Sequence, residues 1–163
     1  MIWWLAQPPI IDDRSRVLIL GSMPGPTALR RRQYYGFEGN RFWHIIPKLL
    51  GVERPTEYED RIRLVRKGRI ALWEVLHSCM RPGALDSRIA GAVINDIPSL
   101  LKRHPAIRAV FLNGRFAHQT FVKAFGDSVD RPAFYLPSTS PANASIPLKT
   151  KLERWSLIRK FLA

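Results

Sequence analysis

The length, composition and cysteine content of the chain exclude several classes of protein. A chain of 163 residues with 46% hydrophobic residues fits one globular domain, residues 1–163. No apolar run approaches the length of a membrane span and no signal peptide is recognisable, so we expect a soluble, cytoplasmic protein that does not bind membranes. The single cysteine, Cys79, excludes a disulfide framework, a four-cysteine iron–sulfur cluster and a cysteine-based zinc site. We expect a monomer with neither a metal nor another cofactor.

The charge balance indicates the kind of partner. The chain has 26 Lys and Arg against 13 Asp and Glu, a net charge of +13. Such an excess of one sign favours a polyanion such as DNA, because Lys and Arg displace condensed counterions from phosphates. Solubility alone is also compatible with high charge, and a single cluster such as residues 30–32 fits a solvated surface as well as a phosphate contact.

Short apolar runs followed by turn signals and helical patterns predict βα units along the chain. The predicted strands cover residues 17–20, 70–75, 107–112 and 133–136. The predicted helices cover residues 41–50, 56–67, 96–104, 116–125 and 148–162. A capping-box spacing between Thr56 and Glu59 marks the second helix, and a long loop is predicted after residue 75. This alternation of strands and helices predicts a three-layer α/β/α sandwich with a short, mainly parallel four-stranded sheet.

Polar and glycine-rich turns follow the first, third and fourth predicted strands. Since the ligand crevice of such sheets lies beyond the carboxyl ends of the strands, we expect these turns to converge on one site. The first turn consists of Gly21, Ser22, Met23, Pro24 and Gly25. Its small residues allow backbone N–H groups to face an anion or a base edge, although a tight βα turn explains it equally well.

Residues 34–43 concentrate five aromatic side chains in ten positions. Aromatic rings stack on unpaired bases, and a base that is attacked chemically must first leave the duplex. Phe42 suits this role or the core face of the following helix, whereas Trp43 suits the core better. The last polar loop, residues 138–143, offers small hydroxyls that suit gripping phosphates or filling a gap beside a base pair. An ordinary turn before the last helix is equally compatible.

Together these segments resemble the uracil-DNA glycosylase superfamily, and specifically its hypoxanthine-DNA glycosylase branch, over most of the chain. Each stretch is short, and it is their order and spacing that carry the resemblance. The matching stretches are residues 21–25, 34–35, 40–43, 72–76, 79–81, 83–89, 95–96, 112–114 and 136–143. The resemblance implies the fold of that superfamily and a DNA substrate from which a damaged base is removed.

Two positions distinguish the chain from uracil-specific members. Mismatch-uracil enzymes of the superfamily have an asparagine in the first motif where this chain has Ser22, and classical uracil enzymes read uracil with an asparagine at the position taken here by Trp73. The resemblance therefore implies a catalytic role moved to Asn40 and a pocket for another base. The family's His-Pro before this asparagine is here Phe37 and Glu38. Glu38 is either a solvated loop residue or a carboxylate that helps to activate water.

The resemblance implies base flipping followed by hydrolysis. Hypoxanthine would stack on Phe42, Asn40 would orient water toward C1′, and the leaving base would be held by residues 21–25, Trp73 and Asn113. The residues expected to contact DNA are Arg41, Arg81, Ser138, Thr139, Ser140 and Asn143. No lysine is placed for Schiff-base chemistry, so we expect an abasic site without strand cleavage. Excision of uracil or xanthine, and a catalytically silent DNA-binding domain, are the alternatives.

Overall fold

A computed structural model of the protein describes residues 3–163. The strands are β1 Trp3–Leu5, β2 Val17–Gly21, β3 Ile70–Glu74, β4 Leu76–Met80, β5 Ala90–Ile94, β6 Ala109–Asn113 and β7 Ala133–Leu136. The α-helices are α1 Pro26–Arg31, α2 Phe42–Leu49, α3 Tyr58–Lys67, α4 Ile97–Arg103, α5 Arg115–Phe125 and α6 Leu148–Trp155. Short 3-10 turns cover Asp86–Arg88, Gly126–Ser128, Pro141–Asn143 and Ser156–Phe161.

A parallel four-stranded sheet in the order β3-β2-β6-β7 organises the fold. All five residues of β2 are buried, and their side chains alternate between two cores. Val17 and Ile19 pack with residues of α2, α3 and α6 on one face, whereas Leu18 and Leu20 pack with α4 and α5 on the other. A continuous apolar run is what a strand covered on both faces requires. The predicted α/β/α sandwich with four parallel strands is confirmed.

A second, antiparallel sheet in the order β1-β4-β5 occupies the region predicted to be a long loop. That prediction was wrong for two local reasons. All five residues of β5 are exposed, so its sequence lacks the alternation that marks a half-buried strand. β4 begins two residues after the end of β3, so no turn signal separates them. Pairing with β1, in the register Trp4 opposite Cys79, completes the sheet, and Cys79 is a buried free thiol.

Several helix boundaries differ from the predictions. Helix α3 has Glu57 as its N-cap residue with no side-chain cap, so the capping box predicted from Thr56 is wrong. Helix α6 ends at Trp155 and continues only as 3-10 turns. Helix α1 was not predicted, although Pro26 at its first position suits a helix start. Within residues 3–163, no helix combines the length and apolar character needed to cross a membrane.

Candidate active site

The carboxyl ends of three central strands meet at one edge of the parallel sheet. β2 ends at Gly21, β3 at Glu74 and β6 at Asn113, and β2 is paired with both of the others. The segments that follow are joined by backbone hydrogen bonds, from Val75 N–H to Gly21 O (2.7 Å) and from Gly114 N–H to Leu136 O (2.9 Å). The polar turns therefore lie together at this edge of the sheet, where the sequence predicted the ligand crevice.

The first motif is held by the loop that follows β4. The Ser22 hydroxyl donates to Asp86 Oδ2 at 2.6 Å, and the Ser22 carbonyl accepts from Leu76 N–H at 3.1 Å. Met23 is buried in the core between β2 and α4, and Gly25 is the N-cap residue of α1. The side chains of Ser22 and Met23 thus point into the protein. Only the backbone of this motif is therefore available to contact a ligand.

Arg81 lies in the interior rather than at a surface that DNA can reach. Its side chain is fully buried, and its guanidinium donates to Pro24 O at 2.6 Å and to Gly83 O at 2.9 Å. The guanidinium also lies 3.7 Å from an Asp86 carboxylate oxygen. We correct the sequence-based expectation of a DNA contact: a guanidinium committed to buried carbonyls has no access to a phosphate in this structure. Arg81 fastens the first motif to the 81–88 loop.

Asn40 stands at the start of α2, beside the last polar loop. Its Oδ1 accepts a hydrogen bond from Phe42 N–H at 3.0 Å, and its own N–H donates to Phe37 O at 3.0 Å. The next residue, Arg41, donates its N–H to Thr139 O at 2.9 Å, which ties the two loops together. A carbonyl oxygen has two lone pairs, so Oδ1 can still accept a proton of a water molecule. The side chain is therefore fixed in direction and available for that contact.

The ring face of Phe42 that was assigned to base stacking is covered by Tyr35. The two rings are stacked, with centroids 3.9 Å apart and an interplanar angle of 16°, and Phe42 is fully buried. The edge of Phe42 packs against Trp155, 6.0 Å away, on the inner side. Tyr35 is only partly buried and has a positive φ of 54°. In this stack Phe42 is the more deeply buried ring and Tyr35 is the less buried one.

Asn113 and Thr139 form a reciprocal pair across the crevice. Asn113 Nδ2 donates to Thr139 Oγ1 at 3.0 Å, and Thr139 N–H donates to Asn113 Oδ1 at 3.0 Å. Asn113 Nδ2 also lies 3.4 Å from the Tyr35 hydroxyl, to which it donates. Both residues are buried, so this pair positions the 138–143 loop and the Tyr35 ring rather than projecting freely into the crevice.

The 138–143 loop is rigid because its own side chains satisfy its backbone. Ser138 Oγ accepts from Ser140 N–H at 3.1 Å, and Ser140 Oγ accepts from Ala142 N–H at 3.3 Å. Asn143 Nδ2 donates to Ser138 O at 3.3 Å. A buried hydrogen bond of 2.9 Å from Trp155 Nε1 to Pro137 O anchors the loop to α6. This arrangement presents Pro141 and Ala142 at an exposed tip.

Trp73 and Glu74 lie on opposite faces at the end of β3, and the Glu74 side chain is the one that lies against Gly21. Trp73 packs against the core formed with α4 and α5. Glu74 is 3% exposed and its carboxyl lies against Gly21. Burial raises the pKa of Glu74 well above its usual range, the charge of Asp86 raises it further, and Arg81 opposes both effects. Sequence reasoning missed Glu74, although an acidic residue ending an apolar strand was a usable signal.

A groove of about 340 Å³ adjoins the crevice and is lined by Thr27, Arg30, Arg31, Phe37 and Glu38. Half of the Phe37 surface is exposed. Its ring and Pro141 both lie so close to Gly39 that a Cβ there would be 2.6 Å from Phe37 and 3.2 Å from Pro141. Glu38 is exposed on the groove wall, which favours the solvated-loop interpretation. The groove is therefore lined both by the cationic side chains of Arg30 and Arg31 and by the apolar ring of Phe37.

Family comparison agrees with this arrangement of strand ends and loops. A family model described as the uracil DNA glycosylase superfamily matches residues 8–161. The chain belongs to this superfamily. Two curated relatives named hypoxanthine DNA glycosylase are each 32% identical to it: one from Methanosarcina acetivorans, aligned over 93% of this chain and 94% of the relative, and one from Methanosarcina barkeri, over 91% and 93%.

The superfamily fold is also present in a solved structure. A solution NMR structure of a Methanosarcina acetivorans protein assigned as a uracil DNA glycosylase matches with a TM-score of 0.83 at 30% identity. The match covers 98% of this chain and 99% of the other. The resemblance predicted from the motifs is confirmed over nearly the whole chain.

One feature of this glycosylase was not predicted from sequence. Lys151 of α6 is buried, and burial together with the positive charge of Arg41 lowers the pKa of Lys151. Within residues 3–163, no group of three or more His, Cys, Asp or Glu side chains is arranged to hold a metal ion.

Proposed function

We propose that this glycosylase excises hypoxanthine from deoxyinosine in DNA by hydrolysis, acting as a cytoplasmic monomer and leaving an abasic site without strand cleavage. The observation that carries the chemistry is the juxtaposition of Asn40 with the Tyr35–Phe42 ring stack: the Asn40 amide accepts from Phe42 N–H, and the Phe42 ring backs Tyr35. A water and a flipped base can therefore be held side by side. Support for the substrate comes from the names of both curated relatives.

DNA binding precedes the chemistry and uses the exposed cations around the crevice. Arg30 and Arg31 line the groove, and Arg41 is exposed at the start of α2. With a net charge of +13, the protein attracts the duplex without regard to sequence. Ser138, Ser140 and Asn143 shape the rigid loop whose tip, at Pro141, faces the position where a flipped nucleotide leaves a gap.

The flipped base stacks on Tyr35. Base–aromatic stacking contributes about 1–3 kcal/mol per base, and unstacking from the duplex costs least for a mispaired base such as hypoxanthine. Phe42 packs against the face of Tyr35 opposite the base. The Tyr35 ring is therefore already held in position before the base binds. The backbone of residues 21–25 then contacts the base edge.

Asn40 orients the attacking water toward C1′. Its Oδ1 is held by Phe42 N–H and accepts one water proton with the remaining lone pair, so that the water oxygen is directed at the sugar. The C1′–N9 bond breaks with its electron pair on hypoxanthine, the water oxygen bonds to C1′, and the proton that the water releases balances the proton that hypoxanthine takes up.

The deciding experiment offers the protein duplexes that each contain one deoxyinosine, deoxyuridine or deoxyxanthosine, followed by hot alkali to reveal abasic sites. We expect cleavage chiefly of the deoxyinosine duplex, and none before alkali. Uracil excision is the second candidate, because the structurally similar Methanosarcina acetivorans protein is assigned as a uracil DNA glycosylase. Cleavage of the deoxyuridine duplex with deoxyinosine untouched would favour it. Binding without cleavage of any duplex would favour the silent DNA-binding domain.

Affinity for DNA is expected to fall steeply with salt. Three phosphate contacts, from Arg30, Arg31 and Arg41, predict a decrease on the order of 40-fold in affinity between 50 and 200 mM salt, measured by fluorescence anisotropy with an undamaged duplex. Arg41→Gln should make the slope of log affinity against log salt shallower by about one. The matched control is Arg63→Gln on α3, where the arginine is paired with Asp60. Affinity that does not depend on salt would exclude this mode of binding.

Removal of the Tyr35 ring is expected to weaken excision. Tyr35→Ala should reduce the single-turnover rate on deoxyinosine duplex by about 10- to 100-fold, the equivalent of one lost base–aromatic stack. Tyr35→Phe keeps the ring and loses only the hydroxyl contact with Asn113, so it should stay within a few-fold of the wild type. Wild-type activity of Tyr35→Ala would return the stacking role to Phe42.

A further inference from the structure

A buried carboxyl group lies where β3 ends beside β2, at the edge of the sheet to which the site is assigned. Glu74 ends β3 directly opposite Gly21, and its side chain is 3% exposed. A Cβ added to Gly21 would lie 2.4 Å from Glu74 Oε2 and 3.3 Å from the Tyr35 hydroxyl oxygen. The carboxyl and the hydroxyl therefore converge on the one strand end that has no side chain. A Cβ at position 21 would force the Glu74 carboxyl to move from its place beside this strand end.

This carboxyl is not committed to a structural partner. Within residues 3–163, Arg81 makes its ion-pair contact with Asp86, at 3.7 Å, and donates its hydrogen bonds to backbone carbonyls, so it does not neutralise the Glu74 carboxyl by direct contact. The charged or titratable groups that face it are Tyr34 and Tyr35 from the loop before α2, and Arg81 and Asp86 from the segment after β4. Burial and the Asp86 charge raise its pKa, so the neutral acid is favoured.

A neutral carboxylic acid in this position has a use during base excision. When the C1′–N9 bond breaks, negative charge develops on the purine, and a preorganised donor stabilises charge most where water is excluded. An O–H donor facing an anionic acceptor makes a short, strong hydrogen bond. An ionised carboxylate at the same place would repel the departing base.

We propose that Glu74 is a catalytic residue that donates a hydrogen bond to the departing base from this edge of the sheet, beside the Tyr35 hydroxyl. This inference rests on the proposed function and names a group of the same site. Glu74 keeps its proton: the bond changes are those of hydrolysis, and the carboxyl only stabilises the electron pair that leaves with hypoxanthine.

The test measures single-turnover excision from deoxyinosine duplex across pH for the wild type and Glu74→Gln. We expect the wild-type rate to fall as pH rises, because deprotonation of Glu74 removes the hydrogen-bond donor. This decline is the falling limb of the pH profile. Glu74→Gln should be about 10- to 100-fold slower, since an amide N–H is a weaker donor than an acid, and this falling limb should be absent from its profile. The affinity for substrate duplex and the thermal midpoint of Glu74→Gln should stay close to those of the wild type.

Asp86→Asn is the matched control for the pH profile. Loss of the Asp86 charge removes a cause of the raised pKa of Glu74, so the falling limb should persist and move to lower pH. If the limb disappears in Asp86→Asn and persists in Glu74→Gln, Asp86 is the titrating group and the proposal is overturned. A wild-type rate in Glu74→Gln overturns it as well. Both results leave hypoxanthine excision standing, whereas inactivity of the wild type on deoxyinosine refutes the proposed function itself.

Discussion

Replacing Asn40 with alanine should reduce single-turnover excision of hypoxanthine by about 10³-fold while leaving the affinity for substrate duplex within a few-fold of the wild type. The reduction is in the range found when a group that positions or activates a reactant is lost. Asn40 is suited to this role because Phe42 N–H holds its Oδ1 at 3.0 Å and fixes the direction of the amide. Quenched-flow measurement with enzyme in excess gives the rate, and anisotropy gives the affinity.

Asn40→Asp separates the water-orienting role from the structural one. A carboxylate oxygen accepts the same hydrogen bond from Phe42 N–H, and it can also take a proton from water as a general base. We therefore expect Asn40→Asp to be at least 10-fold faster than Asn40→Ala. The alanine variant should lose about 1 kcal/mol of unfolding free energy, since it removes the hydrogen bond that Asn40 Oδ1 accepts from Phe42 N–H at the start of α2. Full activity in Asn40→Ala would show that Asn40 does not take part in the reaction.

Replacing Arg81 with alanine should lower the free energy of unfolding by about 3–5 kcal/mol, the usual cost of removing one member of a buried charged network. The fully buried guanidinium donates to Pro24 O and Gly83 O and lies beside Asp86, so its loss leaves polar groups unpaired and a void between two loops. Urea denaturation followed by tryptophan fluorescence measures the change. Arg81→Lys should recover only part of it, because an ammonium does not reproduce the planar set of donors.

The control for Arg81 is Arg88→Ala, which removes an exposed arginine from the same loop and should change stability by no more than about 0.5 kcal/mol. Arg81→Ala should keep the wild-type salt dependence of DNA binding. Wild-type stability combined with a shallower salt slope would instead make Arg81 a phosphate contact, as the sequence suggested.

Much of the architecture was predictable because it depends on local patterns. The continuous apolar run from Val17 to Leu20 marked a strand covered on both faces, and the turn after it marked the crevice edge. Asn40 was assigned its catalytic role through the resemblance to a family, in which the order of short motifs is informative even when each is weak. The small antiparallel sheet was missed because the all-exposed β5 shows no alternation.

The sequence by itself determined the parallel sheet, the superfamily and the edge of the sheet at which the polar turns meet. The tertiary structure decided how the candidate side chains pack: Phe42 lies behind Tyr35, Glu74 is buried against Gly21, and Arg81 is withdrawn into the interior. These outcomes depend on contacts between distant positions, such as Arg81 with Pro24, 57 residues apart, and Ser22 with Asp86, 64 residues apart. The periodicity of a segment indicates which of its residues face the core. It does not indicate which distant residue each of them contacts, because that contact depends on how separate segments of the chain pack together.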